Sequence, residues 1–265
     1  MDEFNKIIQD IKSLKIQGAT NVALFGLKAM QLKQDYNSIK TILKTRPTEP
    51  CLQNAIKYAK EVENPKISYN YLRNMDKRVE SIASKLIKKN SIIFTHCHSS
   101  TVIGALKLTN VKFSVNNTET RPLYQGRKTA KEIASMGIKI NHYVDSAAEE
   151  AIKNSDIILL GADYINEKGN VYNKIGSYTI SELAKKHKIP LFIITNSWKY
   201  SSKKLKIEER NPKEIWETNH KNITVKNPSF DLIPNKNIKK IVSELGVLSP
   251  KKFVKKVKKE YSWIK

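Results

Sequence analysis

The chain has 265 residues, 40% of them apolar and 28% charged, which supplies a large core and excludes wholesale disorder. No apolar run reaches the length of about 18 residues that a membrane-spanning helix needs. The formal charge of +23 taken alone invites a nucleic-acid reading, but Lys far outnumbers Arg, and a lysine-loaded surface carries no sequence specificity for nucleic acid.

In chain order, MDEFNKIIQDIKSLKI reads as an amphipathic helix with Phe4, Ile7, Ile8, Ile11 and Leu14 on one face. It has no apolar h-region, so it does not read as a signal peptide. Only two cysteines occur, Cys51 and Cys97, too few for a disulfide framework. Together these features predict a cytoplasmic protein. Helical patterns continue through GATNVALFGLKAMQLKQ, a turn at Arg46–Pro50, CLQNAIKYAKEV and a long segment from about Ile67 to Lys89. Residues 1–90 are therefore predicted to form a helical domain.

From Ser91 the pattern changes. SIIFT, VKFSV, IKINHYV, DIILL and PLFIIT are short runs rich in β-branched residues, and they alternate with helical stretches. That alternation predicts right-handed crossovers and a mostly parallel sheet over residues 91–265. Ser146 and Glu149 have the spacing of a capping box. The densest basic stretch, 235–265, carries Phe253, Val254, Val257 and Tyr261 at helical spacing, so its lysines read as the solvated face of a docked helix.

Ligands of open parallel sheets bind beyond the carboxyl ends of the strands. His96-Cys97-His98-Ser99-Ser100 follows SIIFT and precedes a helix, a position where backbone N–H groups favour a thiolate. The i, i+2 histidines lack a compact partner motif, so no metal is expected. Asp163 follows DIILLGA and has the chemistry of an acid/base group whose pKa burial raises. Arg46, Arg121 and Arg127 lie in loops marked by Pro or Gly, where a guanidinium can pair with phosphate or form a structural ion pair. No G-x-G-x-x-G, P-loop or G-x-S-x-G pattern occurs, and no cofactor is expected.

The segments IQGAT, TRPTEP, THCHSS, TETRPLYQGRKTAKEIASMGI, VDSA, GADYINEKGNVYNKIGSY, WKY and NPSFDLIP extend over nearly the whole chain. In that order they resemble the family uniting the initiation factor 2B alpha, beta and delta subunits with sugar-1-phosphate isomerases. The resemblance implies an N-terminal helical domain followed by a Rossmann-like domain. It implies catalytic roles for Cys97 and Asp163. It also implies sugar or phosphate contacts from Gly18, Ala19, Arg46, Ser99, Ser100, Asn173, Lys174 and Lys199. One branch implies aldose–ketose isomerisation of a C1-phosphorylated ribose, with ribose 1,5-bisphosphate as the leading substrate and methylthioribose 1-phosphate as the other. The second branch implies a regulatory subunit that senses a sugar phosphate or nucleotide without turnover and contacts translation initiation factor 2. Both imply a homodimer or higher oligomer, paired through the Rossmann-like domain. Two positions depart from the isomerase pattern: Gln17 stands where the isomerases carry Arg, and His98 where the bisphosphate branch usually has Asn.

Overall fold

The computed structural model describes residues 1–204 and 209–264. Five helices come first: α1 (Glu3–Lys12), α2 (Ala19–Leu32), α3 (Tyr36–Thr45), α4 (Pro50–Glu61) and α5 (Pro65–Ser84). Their starts are chemically marked. Asp2, Asp35 and Asn64 accept backbone N–H groups of α1, α3 and α5, while proline opens α4 and α5. The apolar stripe of α1 is buried at Phe4, Ile7, Ile8 and Ile11, against α2 and α3.

The α/β part follows as β1 (Ile92–Thr95), α6 (Ser100–Lys107), β2 (Ser114–Thr118), α7 (Gln125–Ser135), β3 (Lys139–Tyr143), α8 (Ala148–Lys153) and β4 (Ile157–Leu160). It continues through β5 (Tyr164–Ile165), β6 (Val171–Lys174), α9 (Ser177–Lys186), β7 (Leu191–Ile194), β8 (Phe230–Ile233), β9 (Lys240–Ser243), β10 (Gly246–Leu248) and α10 (Pro250–Glu260). The main sheet has the order β10-β9-β7-β4-β1-β2-β3, parallel throughout except for the β9–β10 hairpin. The architecture is the mixed α/β fold expected, an N-terminal helical region ahead of a mostly parallel sheet.

Strand β4 shows how the core is built. Ile158 and Leu160 pack into one apolar cluster and Ile157 and Leu159 into another. A strand covered on both faces reads as an unbroken apolar run for that reason. Strand β3 is different, because it lies at the sheet edge and its residues are half-buried or exposed.

Three local expectations are corrected. The strand expected at VKFSV begins three residues later and runs through Asn116, Asn117 and Thr118, because Ser114 pairs with Ile92 of β1. The two asparagines are buried but satisfied: Asn116 donates to the Ala151 carbonyl at 3.0 Å and Asn117 to the Gly126 carbonyl at 2.8 Å. The Ser146–Glu149 capping box does not form. No side chain caps α8, and Glu149 instead accepts from Lys186 at 2.6 Å and contacts His187 at 2.8 Å. The third is the small antiparallel sheet β5-β6-β8, which has no counterpart in the sequence expectation. NPSFDLIP supplies its third strand and buries Ile233 within the chain.

Candidate active site

Strands β1, β4 and β7 end on one side of the sheet, and a cleft opens beyond them. Its empty space is about 1090 Å³ with the open mouth included. All ten residues to which the family resemblance gives a catalytic or binding role line it: Gly18, Ala19, Arg46, Cys97, Ser99, Ser100, Asp163, Asn173, Lys174 and Lys199.

The helical region supplies one wall. Gly18 precedes α2 with φ of +86°, a conformation natural to glycine, and no side chain caps the helix among the described residues. The first-turn N–H groups of α2 therefore face the cleft unclaimed by a cap, a ready anion site. Arg46 ends α3 and is 8% exposed, with Nη2 donating to the Ile11 carbonyl at 3.3 Å.

The β1–α6 turn carries Cys97 in the left-handed region, φ 65°. Ser99 caps α6, its Oγ accepting from the Val102 N–H at 3.5 Å. Gly161, after β4, lies so close to this turn that a Cβ there would sit 2.7 Å from Ser99 Oγ. Asp163 stands immediately before β5 and Lys174 ends the neighbouring β6, with the Asp163 N–H donating to the Tyr172 carbonyl at 2.9 Å. Asn173 donates to Ser177 Oγ at 2.9 Å. Lys199 is 5% exposed, in a 3-10 turn after β7.

Burial sets the protonation states. It pushes the Cys97 thiol up to about 11, against the opposing Lys174 charge. The expected thiolate preference is thus corrected: loss of hydration outweighs what nearby N–H groups and the lysine return. Burial also raises Asp163, opposed by the charges of Lys199, Lys174 and Arg46. His98 is pushed down to about 4, by burial first and Lys128 second, and its Nε2 lies 3.1 Å from Glu132 Oε2. His96 is lowered by burial and is neutral. Its Nε2 donates to the Ile175 carbonyl at 2.9 Å, which leaves Nδ1 to accept from the Thr118 hydroxyl at 2.6 Å. Both histidines therefore serve hydrogen bonds, and no group of three His, Cys, Asp or Glu side chains among the described residues is placed to hold a metal.

Arg121 and Arg127 do not line the cleft. Arg127 pairs with Glu119 at 2.7 Å, and Arg121 donates to Tyr124 Oη at 2.5 Å. Lys128 and Arg210 do line it, and sequence reasoning does not reach them. Lys128 stands on a helix among many solvated lysines. Arg210 lies outside any helix or strand, where no periodic pattern marks it. Arg46, Lys128, Lys174, Lys199 and Arg210 face Asp163 and Glu49 around the cleft, a cationic excess suited to a phosphorylated ligand. No helix among the described residues is long and apolar enough to cross a membrane.

The chain is similar to known proteins over nearly its full length. A ribose 1,5-bisphosphate isomerase of Thermococcus kodakarensis is 32% identical, across 98% of this chain and 95% of that protein. The translation initiation factor eIF-2B of Pyrococcus horikoshii OT3 has the same fold, with a TM-score of 0.83 at 24% identity over 96% of this chain and 100% of that one. A chain of the tetrameric eIF2B-beta2-delta2 complex from C. thermophilum matches with a TM-score of 0.77 at 14% identity, over 92% of this chain and 91% of that one. The model of the initiation factor 2 subunit family covers residues 14–250, and the chain belongs to that family.

Proposed function

We propose that this protein is an aldose–ketose isomerase that converts ribose 1,5-bisphosphate to ribulose 1,5-bisphosphate. The observation that carries the reading is one cleft lined by a thiol and a carboxyl of raised pKa, by five cationic side chains and by the uncapped N-terminus of α2. On this reading residues 1–90 supply Gly18, Ala19 and Arg46, and residues 91–265 supply the rest of the site.

A ribose phosphorylated at C1 does not open spontaneously to its aldehyde, so the protein must supply an acid and a base of different character. Asp163, whose protonated form burial favours, gives its proton to the ring oxygen as the bond between C1 and that oxygen breaks. Cys97, as thiolate, takes the C2 proton, and the electron pair left behind forms the C1–C2 double bond. The thiol returns that proton to C1. The C2 hydroxyl proton passes to the Asp163 carboxylate, leaving a ketone at C2 and both groups as they began. The cations hold the phosphates and orient the sugar.

One observation favours a second reading, a subunit that binds a phosphorylated ligand and a translation-factor partner without turnover. Gln17, an uncharged side chain, stands beside the uncapped start of α2. Incubation with ribose 1,5-bisphosphate and with methylthioribose 1-phosphate, with direct detection of the ketose, separates the readings. Ribulose 1,5-bisphosphate is the expected product; saturable binding without any product replaces the isomerase by the sensor. We further infer a homodimer, with a light-scattering mass near twice the 30.3 kDa of one chain, and a monomer mass overturns it.

A further inference from the structure

We propose that Arg210 is the residue that grips the phosphate remote from the reacting carbons, the one on C5, and so selects a bisphosphate over a 1-monophosphate. The inference rests on the isomerase reading of the cleft and names a contact within it.

Arg210 lines the cleft, and its side chain is 15% exposed. Its guanidinium is fixed along one edge. Nε donates to Glu214 Oε2 at 2.8 Å and Nη2 contacts Glu214 Oε1. Glu214 is held in turn by Asn227, whose Nδ2 donates to Glu214 Oε2 at 3.1 Å and to the Asn211 carbonyl at 2.9 Å. The Arg210 N–H closes the arrangement by donating to the Asn227 carbonyl at 2.9 Å. An arginine has five N–H donors, and Glu214 takes two. Among the described residues no other hydrogen bond takes the remaining three, which include the Nη1–Nη2 edge. An arginine clamped along one edge by a carboxylate, with a second edge open at a cationic cleft, is pre-organised to hold two phosphate oxygens.

The neighbours of Arg210 say which phosphate. Lys199, Lys174 and Arg46 all act on the Asp163 carboxyl, and Lys174 on the Cys97 thiol, so these three cations gather at the reacting pair. Arg210 is not among the charges that chiefly move either group. Its partner Glu214 feels Lys174, so the Arg210–Glu214 pair stands in the neighbourhood of Lys174. The phosphate on C1 adjoins the bonds that break, whereas the phosphate on C5 is the distant one. An arginine outside the reacting shell but inside the cleft matches the second.

The test compares binding of ribose 1,5-bisphosphate and ribose 1-phosphate by calorimetry, for the wild type, Arg210→Gln and Arg210→Lys. The expected result is a loss of about 10- to 100-fold for the bisphosphate in Arg210→Gln, with ribose 1-phosphate unchanged. Arg210→Lys keeps the charge without the fork and should lose less. For ribose 1,5-bisphosphate, KM should rise while kcat holds. Equal loss on both ligands would make Arg210 a structural residue, and no loss on either would remove it from the site; both overturn the proposal. A wild type that binds the bisphosphate with the expected Arg210 dependence but never turns it over leaves the contact standing and sinks the isomerase reading. A wild type that binds neither sugar phosphate overturns both.

Discussion

The backbone N–H of Cys97 donates to Thr120 Oγ1 at 2.9 Å, a bond between the turn after β1 and the loop after β2. Cys97 holds a left-handed φ of 65°, which costs a non-glycine residue free energy and persists only where its surroundings fix it. Thr129 secures the other end of the residue by donating to the Cys97 carbonyl at 2.7 Å. Thr120 is fully buried, so removing its hydroxyl leaves a polar N–H without water to replace the acceptor. Thr120→Val should therefore cost about 1–3 kcal/mol in urea unfolding. It should also lower kcat while leaving ligand affinity nearly intact, because it moves the thiol rather than the phosphate contacts. Thr120→Ser restores the acceptor and should recover most of both; an inert Thr120→Val would remove the bond from any role in placing the thiol.

Protonation of Cys97 gives a pH signature. With the thiol pushed up to about 11, the thiolate is a minority form at neutral pH and grows tenfold for each pH unit below that value. On the isomerase reading, log kcat/KM should rise by about one per unit between roughly pH 7 and pH 9, without a plateau. Cys97→Ser should abolish turnover yet bind ligand, because a hydroxyl matches the thiol in shape and is a far weaker acid. Asp163→Asn should behave alike by removing the exchangeable proton. Lys174→Ala and Arg46→Ala should instead weaken binding, since each deletes a charge beside the ligand. A profile flat from pH 7 to pH 9 would assign the base to another group.

Much of this site is legible in the sequence because a parallel sheet delivers function to fixed places. Residues directly after the apolar runs SIIFT and DIILL reach the cleft, and so does Lys199, four positions after PLFIIT. Periodicity locates those runs, and the fold rule locates the ends. What escapes the sequence is polar or tertiary. The continuation of β2 through two buried asparagines contradicts the apolar expectation for an interior strand, and only their distant hydrogen-bond partners make it acceptable. Strand β5 has two residues, too few for any periodic signal. Arg210 is fixed by Asn227, seventeen positions on, through a contact that no local pattern carries. The thiol's protonation depends on burial depth, which neither the motif nor the helix N-terminus reveals.

A buried polar network behind the cleft escapes in the same way, and it yields a stability prediction. Asn196 Nδ2 donates to Asp76 Oδ1 at 2.8 Å and to Thr20 Oγ1 at 3.2 Å, which ties the turn bearing Lys199 to α5 and α2. One residue further, the Ser197 N–H donates to Glu244 Oε2 at 3.2 Å. Burial raises Glu244 from 4.5 to about 7. A carboxyl raised on folding favours the folded state fully below the unfolded value, and that contribution is lost as pH rises through the folded one. Glu244 therefore contributes a fall in stability between about pH 4.5 and pH 7, opposed over much of that range by His98, which burial lowers to about 4 and whose contribution rises with pH. Glu244→Gln cannot ionise, so its stability should gain on the wild type's as pH rises from about 4.5 to 7, measured by urea unfolding at fixed ionic strength. A slope of unchanged size in Glu244→Gln would place its origin in other groups, Asp76 first among them, since burial raises that carboxyl too.

Gln17 offers the sharpest separation of enzyme from sensor. Its side chain is exposed at the cleft, with Nε2 donating to the Leu14 carbonyl at 2.7 Å and Oε1 accepting from Gln125 at 3.5 Å. The residue adjoins Gly18 and the uncapped first turn of α2, where an anion already meets aligned N–H groups. Gln17→Arg adds a forked cation at that point. On the isomerase reading it should tighten sugar-bisphosphate binding by about three- to tenfold at low salt, a gain expected to shrink as ionic strength rises. Turnover at low substrate should rise with it, because added affinity acts on kcat/KM while Cys97 and Asp163 stay in place. Unphosphorylated ribose serves as the control and should bind no better than before, which distinguishes a phosphate contact from a general change in the cleft. If the wild type and Gln17→Arg both bind sugar 1-phosphates and both leave every one of them unconverted, the missing cation is not what separates this cleft from catalysis. The regulatory reading then stands in place of the enzyme.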